Sequence, residues 1–239
     1  MIDIVIVSDA KTDDLRQLTE QTIYTANLDP VEGMQIYVVE QQPEVNYTAF
    51  DNVTTLHYDF PFNYNKCLNY GAKHGSNDYI AFCNNDLIFT EGWSAIMYHT
   101  QRHRLASCSP ICPRTAKEYN LGPRSGMKLA SLNTNRNEVR MLFAGWCFIW
   151  TRQIWGKLGG HDEGRKFWTA DNASLMQLKR HNLRHGLDTE VTVHHLQSQT
   201  LDTLDEQTRY DYEWKQAQAF HKDYGVKLFP NLNPKPHLQ

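Results

Sequence analysis

Three polar residues suited to metal binding, Asn84, Asn85 and Asp86, follow directly after the largely apolar stretch 78–83. Such a stretch predicts a buried strand, so we expect the Asp86 carboxylate at the edge of a sheet. Mg²⁺ and Mn²⁺ prefer hard oxygen ligands and take few protein groups beside substrate phosphates. Polar residues after strands are also ordinary turn formers, and on these three residues alone that alternative stays open.

A second set of polar and aromatic residues follows in a fixed order later in the chain. Phe143 to Trp146 leads into a predicted strand, and 158–163 reads Leu-Gly-Gly-His-Asp-Glu, which is typical of a turn. Phe167 to Asp171 opens a predicted helix, and Val193 to His195 ends a predicted strand. Each short pattern has an ordinary structural explanation, because an aspartate can cap a helix and histidine is often structural. Their order along the chain is therefore more specific than any one of them.

This ordered set resembles the family 2 glycosyltransferases and their GT-A relatives over about residues 2–200. Members often read Gly-Gly-Phe-Asp-Glu, an aromatic pair, Glu-Asp, an amphipathic helix and a late strand with histidine. Asn84 to Asp86 take the place of that fold's Asp-X-Asp metal motif. His161 replaces the usual aromatic or apolar residue of the turn, and Ala170 replaces the usual glutamate. The resemblance implies a metal-dependent glycosyltransferase with a nucleotide-sugar donor, UDP being the expected nucleotide.

The resemblance also implies roles for individual residues. Asp86 would bind the metal, Mn²⁺ or Mg²⁺, and His194 is favoured over His195 as a second ligand. Asp171 would be the catalytic base of an inverting reaction, because a carboxylate at a helix N-terminus stays ionised and can accept a proton. The residues expected at the donor nucleotide are Ser8, Asp9, Glu40, Asn84 and Asn85. The residues expected at the acceptor or the sugar are Trp146, Asp162, Glu163 and Trp168.

Strands that alternate with helices must position these residues. The first predicted elements are strands 2–7, 35–39, 56–58 and 78–83 and helices 13–26 and 65–74. Near-continuous apolar strands between helices predict an α/β fold, one GT-A (Rossmann-like) domain with a mostly parallel central sheet flanked by helices. Ligands of such sheets bind beyond the carboxyl ends of the strands, where Asp9, Glu40 and Asp86 fall.

The rest of the chain is expected to be less regular. Residues 102–140 contain several prolines and glycines without clear periodicity, so loops are predicted there. The later predicted elements are strands 141–150 and 191–193 and helices 172–185 and 210–224. We expect a nucleotide-sugar-binding half (1–100), an acceptor-binding and catalytic half (101–200), and a C-terminal helix with an irregular tail (201–239).

The charge is uneven along the chain, although the net value is only -3. Residues 1–100 contain 4 Lys and Arg against 14 Asp and Glu, whereas 101–185 contain 15 against 5. The basic segment either pairs with the acidic one or attracts an anionic partner. A polyanionic acceptor such as DNA is therefore one hypothesis, with a hydroxymethylated base of phage-type DNA as the acceptor. The alternatives are a cell-envelope or other saccharide as acceptor, or a non-catalytic carbohydrate- or nucleotide-binding module.

Cysteine usage and apolar run length bear on localisation. Five dispersed cysteines favour reduced thiols, and Cys108 with Cys112 lack the second pair that a structural zinc would need. The longest apolar runs are far shorter than the roughly 20 residues that span a bilayer. We therefore expect a cytoplasmic protein without integral membrane contact, in the host cytoplasm if the gene is carried by a phage. The oligomeric state is not predicted.

Overall fold

One central sheet organises the part of the chain that the computed structural model describes, namely residues 1–121, 126–132, 139, 141–196, 207 and 210–228. Its strands are β1 (Ile2–Ser8), β2 (Gln35–Glu40), β3 (Val53–His57), β4 (Tyr79–Cys83), β5 (Leu87–Phe89), β6 (Ser107–Ile111), β7 (Met127–Leu129), β8 (Cys147–Thr151) and β9 (His185–His195). The helices are α1 (Asp13–Ala26), α2 (Tyr64–Ala72), α3 (Ala95–Arg102), α4 (Pro113–Glu118), α5 (Arg152–Leu158), α6 (Ala170–Arg180) and α7 (Gln216–Tyr224), with a π-helical turn, Asp211–Lys215, before α7.

The strand order is β3-β2-β1-β4-β8-β6-β9-β5, and β7 pairs with β9. Neighbours from β3 to β4 are parallel, as are β6 and β9, whereas β8 lies antiparallel between β4 and β6. Strands β5 and β7 run antiparallel to β9. Six of the nine described strands therefore point the same way, which confirms the predicted α/β fold with a mostly parallel sheet.

Strand β1 shows why the first half folds as predicted. All seven of its residues are buried. Because side chains alternate across a strand, Ile4 and Ile6 join the core under α1, whereas Val5 joins the core under α2. Helix α2 lies very close to the sheet, since a Cβ at Gly71 would come within 2.5 Å of Val5 Cγ1.

Local capping determines where the first helices begin. Thr12 Oγ1 accepts a hydrogen bond from Leu15 N (3.3 Å), and Asn63 Oδ1 accepts one from Lys66 N (3.0 Å). These side chains satisfy backbone N–H groups that have no partner inside the helix. The helix predicted over 13–26 is confirmed, and Thr12 is its N-cap.

The predicted loop over 102–140 is wrong for β6, α4 and β7. The sequence of β6, Ser-Cys-Ser-Pro-Ile, lacks the apolar pattern of a core strand. In the structure it is nevertheless a central strand, and each of its residues is buried between β8 and β9. Its proline lies where the register with β9 shifts, a position that tolerates a missing N–H. Strand β9 also begins at His185 rather than at 191. Parts of the predicted loop, 122–125, 133–138 and 140, lie outside the described residues, as does the irregular tail predicted from residue 230.

Two further findings concern thiols and membranes. All five cysteines are buried and unbridged, and the nearest described pair, Cys83 and Cys147, has its Sγ atoms 3.8 Å apart. No helix among the described residues combines the length and the apolarity needed to cross a bilayer.

Candidate functional site

The carboxyl end of β4 carries a buried carboxylate with an unusual environment. Asp86 is 5% exposed, and its Oδ1 has no hydrogen-bond partner among the described residues. Pairing of β5 with β9 sets Leu87 opposite His195, which brings His195 Nε2 to 3.3 Å from that oxygen. The contact is close but not aligned as a hydrogen bond. A buried carboxylate oxygen without a partner, facing an imidazole, is a donor set that fits a divalent cation.

The structure brings His195, and not His194, to Asp86. His194 is exposed and lies on the other face of β9, because successive residues of a strand point in opposite directions. Val191 and Val193 are buried on the face that also carries His195. The apolar alternation of these valines is the sequence signal that distinguishes the two histidines.

Two aromatic residues and one amide fix the His195 imidazole. The Trp146 ring stacks on it, with ring centroids 5.1 Å apart and planes 17° from parallel. Asn84 Nδ2 lies 3.4 Å from His195 Nε2, and Asn84 Oδ1 accepts a hydrogen bond from the Tyr64 hydroxyl at 2.8 Å. Tyr64, the first residue of α2, was not among the predicted site residues. Its place in the aromatic-rich stretch before α2 is the only signal in the sequence.

Asp171 lies close to the same residues, and the region bounded by Asp86, His195 and Asp171 is called the cleft. It is in the first turn of α6, and its carboxylate Oδ1 accepts a hydrogen bond from Asn172 N at 2.8 Å. A Cβ at Gly145, next to Trp146, would come within 2.6 Å of Asp171 Cβ. Burial raises the pKa of Tyr64 well above 10, and the negative charges of Asp86 and Asp171 are among the smaller contributions. Gly145 and its neighbour Trp146 therefore connect the Asp171 side chain to the ring of His195.

This cleft sits at the carboxyl edge of a nine-stranded sheet with a recognisable architecture. The chain resembles GalNAc-T7, solved with UDP, GalNAc and Mn²⁺, with a TM-score of 0.61 and 10% identity, covering 82% of this chain and 43% of that one. It also resembles the mannosyltransferase PcManGT from Pyrobaculum calidifontis, solved with GDP-Man and Mn²⁺, with a TM-score of 0.65 and 12% identity, covering 99% of this chain and 66% of that one. The fold is GT-A.

The likeness to GT-A proteins is one of structure alone. No family model matches the sequence, and the search of curated proteins found no similar sequence. The chain spans 43% and 66% of the two neighbours. At identities of 10% and 12%, these neighbours establish the fold alone.

Glu40, expected at the donor nucleotide, is fully buried at the GT-A carboxyl edge. Its Oε1 accepts hydrogen bonds from Ala10 N (3.0 Å) and Gln42 N (2.9 Å), and its Oε2 accepts one from the Tyr47 hydroxyl (3.0 Å). These three bonds hold the exit loops of β1 and β2. The structure therefore ties Glu40 to loop shape.

The other predicted donor residues are divided between the surface and the interior of the GT-A fold. Asp9 is half-buried, accepts a hydrogen bond from Gln42 Nε2 (2.7 Å) and pairs with Lys11 Nζ (2.6 Å). Ser8 is buried, and its Oγ lies 2.9 Å from Thr19 Oγ1. Asn85 Nδ2 donates to the same Thr19 oxygen at 3.1 Å. The Asp9 carboxylate is thus partly exposed but already bonded to Gln42 and Lys11, whereas the Ser8 hydroxyl is buried.

The predicted acceptor residues also differ in availability. Asp162 Oδ2 accepts a hydrogen bond from the Tyr224 hydroxyl (2.5 Å), and its Oδ1 accepts one from Gly164 N (2.9 Å). Glu163 is exposed, although its Oε1 accepts a bond from Asn69 Nδ2 at 3.0 Å. Trp168 is half-buried, in the stretch that leads into α6. The carboxylate of Asp162 is therefore committed to protein contacts.

His161, which departs from the family pattern, is a core residue. It is 3% exposed, and its ring packs 4.3 Å from Trp150 and 4.4 Å, edge-on, from Phe82. Burial lowers the pKa of His161 to about 3, so the ring is neutral at physiological pH. A neutral imidazole thus fills a space in the core that an apolar or aromatic side chain could also fill.

One other group of potential metal ligands lies among the described residues, formed by His99, Asp188 and Glu190. Asp188 is 1% exposed, and its Oδ2 lies 2.6 Å from His99 Nδ1. Its other oxygen accepts a bond from Glu190 N at 3.0 Å. Both carboxylate oxygens are thus in use, at the middle of β9 rather than at the GT-A carboxyl edge.

Proposed function

We propose that this protein is a metal-dependent glycosyltransferase that moves a sugar from a nucleotide donor to an acceptor hydroxyl. The single observation that carries the proposal is the series of contacts that runs from Asp86 through His195 and Trp146 to Gly145 and Asp171. Such a transfer needs two parts. One is a set of oxygen and nitrogen ligands for the metal that binds the diphosphate of the sugar donor, and the other is a carboxylate that acts on the acceptor.

Asp86 and His195 would hold the cation, and Mn²⁺ tolerates the imidazole nitrogen better than Mg²⁺ does. A cation bound there supplies positive charge against the leaving diphosphate. The unpartnered Asp86 Oδ1 is the atom best placed to serve as its ligand. Asn84 and Trp146 orient His195, so that its ring is set before the metal arrives.

Asp171 would take the proton from the acceptor hydroxyl as that oxygen attacks the anomeric carbon. Its position in the first turn of α6 favours the ionised carboxylate, because the helix N-terminus carries partial positive charge. A base that acts directly on the acceptor supports an inverting reaction. Trp168, half-buried just before α6, and Glu163, exposed on the turn, are the residues we propose for the acceptor or the sugar.

The two neighbours guide the choice of donor. GalNAc-T7 was solved with UDP and PcManGT with GDP-Man, both with Mn²⁺. We propose UDP as the nucleotide here, with GDP as the alternative to be tested.

The decisive experiment measures nucleotide release from UDP-, GDP- and TDP-sugars with Mn²⁺, for the wild type and for Asp171→Asn. We expect turnover with at least one donor and a loss of about 10²- to 10⁴-fold in the variant, the range typical of a lost general base. Nucleotide binding should survive the substitution. Absence of turnover with every donor and acceptor, together with intact nucleotide binding, would indicate a binding module instead.

The acceptor we propose is a hydroxymethylated base in DNA. Exposed, positively charged side chains support this proposal. Arg114 and Lys117 are exposed on α4, which starts where β6 ends, and Lys166 is exposed beside α2. These cations border the carboxyl edge of the sheet and can neutralise backbone phosphates. Another basic group, Arg102, Arg104 and Arg184, lies at the opposite end of β6 and β9, where Arg184 Nη1 donates to His103 O.

A salt titration tests this acceptor. Binding to DNA should weaken steeply with salt, and transfer should require the hydroxymethyl group. Transfer to a saccharide without any effect of DNA would favour the cell-envelope alternative. A base inside a duplex would also have to be flipped out to reach Asp171, so single-stranded modified DNA should react at least as fast.

A further inference from the structure

We propose that Asp223 and Tyr224 of the C-terminal helix α7 are positioning residues for Asp171. They hold the connecting segment 162–168, which leads directly into α6. This inference rests on the proposed function, because it assigns a role in placing the proposed base. The residues Asp162, Arg165, Asp223 and Tyr224 are called the C-terminal clamp below.

The clamp is built from one hydrogen bond and one ion pair. The Tyr224 hydroxyl donates to Asp162 Oδ2 at 2.5 Å, and Arg165 Nη2 pairs with the carboxylate of Asp223. Arg165 is 6% exposed, and its Nε lies 3.5 Å from Asp162 Oδ2. A buried guanidinium without these two carboxylates would be strongly unfavourable, so the four groups hold together as a unit.

Helix α7 also contacts the end of the connecting segment and helix α6. Phe167 N donates to Gln216 Oε1 at 3.2 Å. Phe220 is fully buried in a small apolar cluster with Ala173 and Met176 of α6. Helix α7 thus contacts the chain on both sides of Asp171.

The other side of the connecting segment is bound to the half that carries Asp86. Asn63 Nδ2 donates to Glu163 O (2.7 Å), Asn65 Nδ2 donates to Asp162 O (2.8 Å), and Tyr64 N donates to Lys166 O (2.5 Å). Tyr64 is the residue whose hydroxyl bonds Asn84 in the cleft. The segment is therefore held between α2 and α7, and its position sets Asp171 relative to Asp86.

The backbone at the start of α6 indicates that the segment needs this support. Thr169 has a φ of +71°, in the left-handed region that a β-branched residue rarely adopts. Such a conformation is strained and persists only where the surroundings impose it. The contacts on both sides of the segment supply that constraint, two residues before Asp171.

The Tyr224 hydroxyl stays protonated and can keep its hydrogen bond to Asp162. Burial raises the pKa of Tyr224, and the hydrogen bond to Asp162 raises it further. The hydroxyl therefore remains a donor throughout the working pH range. It also explains why the Asp162 carboxylate, expected from the sequence at the acceptor, is used inside the protein.

Misplacing a catalytic group by about 1 Å can cost about 10²-fold in rate, so loss of the clamp should act on turnover. We therefore expect Tyr224→Phe and Asp223→Asn each to lower kcat at least about fivefold. The KM for the donor and the affinity for Mn²⁺ should stay within about twofold, because Asp86 and His195 are untouched. Asp223→Glu, which keeps the charge, should recover most of the rate.

The experiment compares these variants with Tyr24→Phe, which removes a hydroxyl from an exposed tyrosine of α1. Kinetics are measured well below the thermal midpoint of each variant. A lower kcat with unchanged donor KM, and with the control at wild-type rate, supports the proposal. Wild-type kcat in both clamp variants overturns it, and so does a loss of rate that only matches the loss of folded protein.

Hydrogen exchange of the peptide covering 166–176 separates this inference from the proposed function. If the wild type turns over no donor, the proposed function fails, and the clamp is judged by exchange alone. Faster exchange in Tyr224→Phe than in Tyr24→Phe then supports the inference that the C-terminal clamp stabilises the start of α6. Equal exchange overturns it.

Discussion

Gly145 and Asp171 are in direct contact across the cleft. A methyl group on Gly145 would lie 2.6 Å from Asp171 Cβ, closer than real Cβ atoms approach, and 3.1 Å from its Oδ2. Gly145 precedes Trp146, whose ring stacks on His195. The absence of a side chain at position 145 therefore lets the helix of the proposed base approach the chain beside the proposed metal site.

We expect Gly145→Ala to lower kcat by at least about tenfold, because either the 144–146 turn or Asp171 has to move. The matched control is Gly156→Ala, on α5, where an added Cβ meets nothing within 4 Å. Nucleotide release under saturating donor measures both. Unchanged turnover in Gly145→Ala would show that the position of Asp171 does not matter to the reaction.

The two adjacent histidines should behave differently towards metal. His195→Ala removes the imidazole that faces Asp86 and should weaken Mn²⁺ binding by about tenfold or more, whereas the exposed His194→Ala should leave it unchanged. Calorimetric titration of Mn²⁺ in the presence of UDP measures both affinities. A larger effect at His194 would contradict the ligand assignment proposed here.

A buried ion pair far from the cleft should matter for stability. Asp3 is 1% exposed and accepts hydrogen bonds from Arg152 Nη2 (2.6 Å), Asn77 N (2.9 Å) and Asn77 Nδ2 (2.8 Å). Arg152→Met leaves that carboxylate without its counter-charge and should lower the free energy of unfolding by about 3 kcal/mol.

The control for this pair is Arg16→Met, which breaks the exposed Arg16 and Glu20 pair on α1. Its cost should stay below about 0.5 kcal/mol. Urea denaturation at neutral pH measures both variants. Equal losses would mean that burial of Asp3 does not strengthen its ion pair.

His185 should make stability depend on pH. Burial lowers the pKa of His185 to about 4, and the neutral ring contacts Ser107 Oγ (2.8 Å) and Leu142 O (3.0 Å). Below about pH 6.5, His185 is protonated in the unfolded chain, whereas in the folded chain it stays neutral down to about pH 4. Stability from this residue is therefore complete above pH 6.5 and falls towards pH 4, by up to about 1.4 kcal/mol per pH unit.

The measurement is the unfolding free energy of the wild type and His185→Gln between pH 4.5 and 7.5. The variant is expected to be less stable at neutral pH but to lose less stability per pH unit on acidification. The exposed His181→Gln should keep the wild-type slope. An unchanged slope in His185→Gln would contradict a neutral buried ring.

Much of the fold could be read from local patterns in the sequence. Apolar strands such as β1 are buried on both faces, and the Thr12 cap marks the start of α1, so the alternation of strands and helices is visible without tertiary contacts. The exits of β1, β2 and β4 were expected at one edge because parallel strands end together, and the structure has them so. The role of Asp171 came from the resemblance to GT-A proteins and not from the pattern of strands and helices.

Other features depended on pairings between residues distant in sequence. The register of β5 with β9 decided that His195 faces Asp86, and burial between two partner strands made a core strand of the polar β6. Glu40 and Asp162 were chosen from the sequence as ligand-facing carboxylates, but Tyr47 and Tyr224 occupy them. A sequence determines which groups are available, whereas only the folded chain decides which of them are already bonded to one another.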